Sequence, residues 1–130
     1  MTSMHRLTLH AALLAAVVAV NACGVGNDDE TAGSLTPFNI VPNASTFTGP
    51  NSTTCGTGTT RVFIFGGAGP YQIHNTSPEL TVTPTTVNEP GQFFDVTAFD
   101  PTVCLTTASI VVVDKWGRQV VFNVTTSRGT

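Results

Sequence analysis

Few side chains in this sequence are suited to chemistry, and their spacing restricts what they can do. Three cysteines stand at positions 23, 55 and 104. Cys55 and Cys104 have no second Cys or His at ligand spacing, which argues against a metal centre. Beyond residue 22 the one histidine is His74. A general base needs a positioned nucleophile and an orienting acid, and no Gly-x-Ser-x-Gly element supplies one. Glu89, Asp95, Asp100 and Asp114 could offer oxygens to calcium, but their spacing matches no calcium loop. Asp100 and Asp114 are better placed to start turns. Gly66-Gly67-Ala68-Gly69 lacks the Lys-Ser/Thr ending of a phosphate loop and precedes a strand pattern, not a helix. No catalytic residue, cofactor or metal is assigned. What remains is Trp116, flanked by Lys115 and Arg118 in a turn, where an exposed indole can stack on a sugar or anchor a partner. These three residues and Tyr71 form the candidate binding set. The competing expectation is that the indole folds back over Tyr71 or a neighbouring loop.

Cys23 belongs to a different kind of segment. Residues 11–20 are all Ala, Leu or Val, preceded by Arg6 and His5. The run falls short of the ~20 apolar residues that span a bilayer, and with its basic start it reads as a secretory signal peptide. Val20-Asn21-Ala22-Cys23 resembles the bacterial lipoprotein signal of Leu, two small residues and Cys. Val20 replaces Leu, and Asn21 departs from the small-residue pattern; ordinary signal peptidase would also accept Val20 and Ala22. The resemblance implies removal of residues 1–22 and lipidation of Cys23. Several acyl chains, at ~0.8 kcal/mol per buried methylene, then hold the domain at a membrane. Gly24 after the cysteine resembles the outer-membrane class, so the implied location is the bacterial cell envelope, lipid-anchored in the outer membrane and facing the periplasm or the cell surface. With Cys23 lipidated, Cys55 and Cys104 remain as one pair for an oxidising compartment. Their bridge would close a loop of ~50 residues, for which chain entropy gives about 4 kcal/mol; two free thiols are the alternative.

These residues must be positioned by a small domain. Residues 23–34 carry the lipidated cysteine and a polar run with Asp28, Asp29 and Glu30, the composition of a flexible tether. Residues 35–127 suffice for one domain, and 128–130 form a tail. Past residue 22 four basic residues face eight acids with no basic stripe, which excludes nucleic acid as a partner. Thr, Val, Phe and Gly dominate, favouring strands and turns over helices. Strands are expected over 36–41, with 46–48 as an extension, then 59–65, 71–75, 80–83, 85–87, 92–99, 107–113 and 119–125. In 92–99, Phe94, Val96 and Ala98 alternate with Asp95 and Thr97, placing one face on a core and one in water. Pro84 cannot donate to a ladder and suits an edge. Asp114-Lys115-Trp116-Gly117 has the Asp and Gly of a type I turn and predicts a hairpin.

The run from Phe63 to Ile73, a strand, Gly-Gly, Pro-Tyr and a second strand, resembles a motif of bacterial immunoglobulin-like domains. Ile110 to Gly117 resembles their closing strand and hairpin. The resemblance covers roughly residues 35–126. It implies an all-β, immunoglobulin-like sandwich of about seven antiparallel strands behind the signal peptide and tether. It says little about function, because such sandwiches host many roles. The expected role is non-catalytic: a structural or protein-interaction module displayed at the membrane, with an envelope protein or a glycan as partner. The alternative is a small carbohydrate- or peptidoglycan-binding module using Trp116 and the turn loops.

Overall fold

The computed structural model describes residues 37–130. The expected signal peptide, Cys23 and the tether through residue 34 lie outside the described residues. Within them are nine strands: β1 (Asn39–Val41), β2 (Ala44–Thr48), β3 (Gly58–Phe65), β4 (Tyr71–Asn75), β5 (Leu80–Thr83), β6 (Thr86–Val87), β7 (Phe93–Ala98), β8 (Ala108–Val113) and β9 (Gln119–Ser127). They form two sheets, one ordered β1-β3-β7-β5 and the other β2-β9-β8-β4-β6. With β3, β7 and β5 in one sheet against β9, β8 and β4 in the other, this is the immunoglobulin-like sandwich.

The period-2 patterns place the core between the sheets. Val62, Ile64, Phe94 and Val96 from one sheet meet Tyr71, Ile110, Val112, Phe122 and Val124 from the other, each at most 1% exposed. The alternation expected in 92–99 holds, with Phe94, Val96 and Ala98 buried.

Two details differ from the sequence expectation. The count is nine strands, because the stretches on either side of Pro84 stand as β5 at the edge of one sheet and β6 at the edge of the other, and residues 44–48 form a strand of their own. Pro84, lacking an N–H, sits where the chain changes sheets. Residues 44–48 do not extend the first strand. After Val41-Pro42 the chain crosses over, and β2 pairs parallel with β9, Ala44 opposite Asn123 through Thr48 opposite Ser127. Pro42 cannot continue the β1 ladder, which frees the chain to cross. All other strand pairs are antiparallel.

The sandwich has two distinct poles. β1 begins at Asn39, which pairs with Phe65 at the end of β3. The chain therefore enters beside the loop 66–70 and the β8–β9 hairpin; we call this the near pole. At the far pole, Cys55 and Cys104 are bonded with a Cα–Cα distance of 5.2 Å. Cys55 also donates its N–H to Pro101 O at 2.8 Å, and Gly129 donates to Asn51 O at 2.8 Å. The bridge thus ties the chain ahead of β3 to the β7–β8 connection and the C-terminal strand.

Candidate functional site

The near pole is built around one carboxylate. Asp114 follows the last residue of β8, and its side chain has no exposed surface. It accepts hydrogen bonds from Trp116 N–H at 3.0 Å, Arg118 N–H at 2.8 Å and Arg118 Nε at 2.8 Å. Ala68 N–H reaches it at 3.3 Å from the opposite loop. Burial alone would push this carboxyl up. The bonds from Arg118, Trp116 and Ala68 outweigh burial and hold it below the usual carboxylate range. The turn closes by Gly117 N–H to Asp114 O and Asp114 N–H to Arg118 O, both at 3.0 Å. Gly117 takes φ +81°, the left-handed position of a three-residue hairpin loop that favours glycine. The predicted hairpin is therefore present, with Asp114 as its organiser.

From this turn a stack runs inward. Trp116 is 56% exposed, and its ring lies 4.8 Å from the Arg118 guanidinium carbon. That guanidinium lies 5.9 Å from the ring of Phe38, and Phe38 stacks on Tyr71 at 5.7 Å. Gly67, at φ +67°, lets the loop pass close over Phe38, where an added Cβ would come within 2.8 Å of its ring. The expected set is thus split. Trp116 and Lys115 are exposed at the tip, while Arg118 is half-buried and holds Asp114. Tyr71 is withdrawn from the surface. It is fully buried, donates its hydroxyl to Gly66 O at 2.5 Å, and has its pKa raised by burial and by the Asp114 charge. It shapes the glycine loop and has no exposed surface. Nor does the indole fold over it; Arg118 and Phe38 lie between them.

A second surface escaped the sequence expectation. On the outer face of the β1-β3-β7 sheet, Phe63, Phe65 and Phe93 are 38%, 43% and 38% exposed, beside Val41 at 52%. The register places Val41, Phe63 and Phe93 in one row, with Asn39 and Phe65 in the row nearer the near pole. Phe63 meets Phe93 edge-on at 5.7 Å and stacks on Phe65 at 6.5 Å. Arg61 lies 3.8 Å over the Phe93 ring while its Nε and Nη2 donate to Asp95 at 2.9 and 3.0 Å. That pairing holds the Asp95 carboxyl below its usual range. The next row of the sheet is threonine, with Thr59 and Thr97 hydroxyls 2.8 Å apart. The face is thus apolar towards the near pole and polar beyond Arg61. The available signal was that both parities of Val62-Phe63-Ile64-Phe65 and of Phe93-Phe94 are apolar, which a one-sided strand does not need.

The other candidates lie apart. Asp100 accepts from Thr102 N–H and hydroxyl at 2.8 and 2.6 Å, and Glu89 is exposed between β6 and β7. Among the described residues no three His, Cys, Asp or Glu converge as a metal set. His74 is exposed on β4 and borders a groove of about 620 Å³ with Asn75, Thr81 and Thr83; none of the lining residues is an acid.

No family model matches this chain, and no curated protein sequence matches it. Among solved structures, a Bacteroides ovatus GH5 xyloglucanase in complex with a XXXG heptasaccharide is similar, with 15% identity and a TM-score of 0.51 over 70% of this chain. The chain spans 18% of the length of that xyloglucanase. The BIgI domain of beta protein from S. agalactiae, bound to CEACAM1, matches at 11% identity and a TM-score of 0.43, over 73% of this chain and 99% of that domain. At 15% identity the likeness to the xyloglucanase is one of fold.

Proposed function

We propose that this chain is a non-catalytic module of the bacterial cell envelope, held at the outer membrane by lipid on Cys23, that presents its sandwich to a protein partner. The observation that carries the reading is the cluster of Phe63, Phe65, Phe93 and Val41 on the outside of a folded sheet, bordered by the Arg61–Asp95 pair. Aromatic side chains at the centre of a patch, with arginine beside them and a polar rim, are the composition of protein interfaces. The threonine row and Asn39 supply that rim. Fatty-acid labelling and native co-purification from membranes test the two halves. Labelling is expected to vanish in Cys23→Ser. A defined partner is expected with wild type and Trp116→Ala but not with Phe63→Ser. Labelling that survives Cys23→Ser overturns the anchor, and a partner indifferent to Phe63→Ser overturns the face.

A further inference from the structure

We infer that the near pole docks on the lipid surface that carries the anchor, with Trp116 as its leading side chain. The inference rests on lipidation of Cys23 and adds a second contact, distinct from the protein contact of the phenylalanine face. Chain direction comes first. β1 starts opposite Phe65, and Lys115 N–H donates to Ala68 O at 2.8 Å, so the point of chain entrance and the hairpin tip share one pole. Fourteen peptide steps separate Cys23 from Pro37 and reach at most about 50 Å. Of the two poles, this one is nearer the bilayer along the chain; the Cys55–Cys104 bridge marks the other.

The chemistry of the tip fits a membrane–water interface. Tryptophan is enriched there because its ring is apolar and its N–H polar. Lys115, exposed beside it, can extend an ammonium to lipid phosphate while its stem stays on apolar surface. The one acid of the turn, Asp114, is buried and bonded to Arg118, so the tip itself presents no free carboxylate. Among the described residues the other acid at this pole, Glu89, stands on the neighbouring loop beyond β6. The indole rests on Arg118, and Asp114 fixes Arg118, so the tip is already ordered before contact. A single indole gives a weak contact, but a short tether raises its effective concentration to the order of millimolar, which suffices to populate one.

Trp116 is the only tryptophan in the chain, so its emission reports the contact directly. The full-length protein would be placed in vesicles of phosphatidylethanolamine and phosphatidylglycerol, with its mass measured in parallel. The expected result is emission shifted to the blue of soluble Cys23→Ser protein, lost on substituting lipids with brominated acyl chains, with a smaller loss in Lys115→Glu. Unshifted and unquenched emission from protein whose mass carries acyl chains overturns the docking and leaves the anchor standing. A mass without acyl chains overturns both. Emission that responds to soluble peptidoglycan fragments but not to brominated lipid overturns the docking and assigns the indole to sugar.

Discussion

The carboxylate of Asp114 and the guanidinium of Arg118 meet at 2.8 Å with the acid fully buried and the base half-exposed. The same carboxylate receives the Arg118 backbone N–H at 2.8 Å, so one residue fixes another at two points. Asp114→Asn would turn an amide NH2 either towards Arg118 Nε and Ala68 N–H, which share Oδ2, or towards the Trp116 and Arg118 backbone N–H, which share Oδ1, opposing donor to donor. The expected loss is on the order of 2–3 kcal/mol, read as a lower urea midpoint at unchanged slope. A midpoint unmoved by the substitution would show that the turn holds without its acid.

The same carboxylate makes stability depend on pH with a definite sign. Its folded pKa lies below the ordinary 3.8, so its bonds stabilise fully above that value. That contribution is lost as pH falls through 3.8 towards the lower folded value. Urea midpoints taken from neutral pH to about pH 3 should fall in wild type and fall less in Asp114→Asn. Asp95 and Asp100 shift in the same direction. Both pairings are solvent-exposed, so their share is small, and for the Asp95–Arg61 ion pair it is screened by salt. Equal acid sensitivity in the two proteins would contradict the assignment to Asp114.

Phe93 and Phe94 are adjacent in sequence and opposite in role. Phe94 is fully buried, while Phe93 is 38% exposed. Phe94→Ala is expected to cost about 3–5 kcal/mol through the cavity it leaves. Phe93→Ala gives up the edge contact with Phe63 and the Arg61 stack, about 1–2 kcal/mol in all. Denaturant unfolding of the two variants checks the difference, and equal losses would contradict the outward placement of Phe93.

Cys55 and Cys104, 49 positions apart, close a loop whose restriction stabilises the fold by about 4 kcal/mol on chain-entropy grounds. The Cys55→Ser/Cys104→Ser double variant should lose a large part of that, and wild type should gain two protons in mass on reduction. No mass change would show two free thiols.

The sandwich was legible in the sequence because period-2 burial needs only the residues of one strand. Phe94-Val96-Ala98 declared the core without knowledge of their partners. The turn at Asp114 was equally local. The crossing of residues 44–48 to the opposite sheet was not, because parallel pairing with β9 is a contact across some 80 positions and nothing within Ala44–Thr48 encodes it. Tyr71 was misplaced for a related reason. The strand over 71–75 was expected, but not which of its faces turns inward; Tyr71 lies on the buried face with Ile73 and stacks on Phe38, a contact from a distant part of the chain. The phenylalanine face lay in plain view as both-sided apolarity, but only the register of β1, β3 and β7 assembles Val41, Phe63, Phe65 and Phe93 into one patch.

The most direct test of a protein partner on that patch is photo-crosslinking in living cells. A benzophenone side chain would replace Phe63 and, in a parallel strain, the exposed Val121 of the other sheet. The expected result is one discrete protein adduct from position 63, absent from position 121 and weakened by Phe65→Ser. Equal adducts from both positions, or none from position 63 in protein that is folded and at the membrane, would contradict a partner on the phenylalanine face.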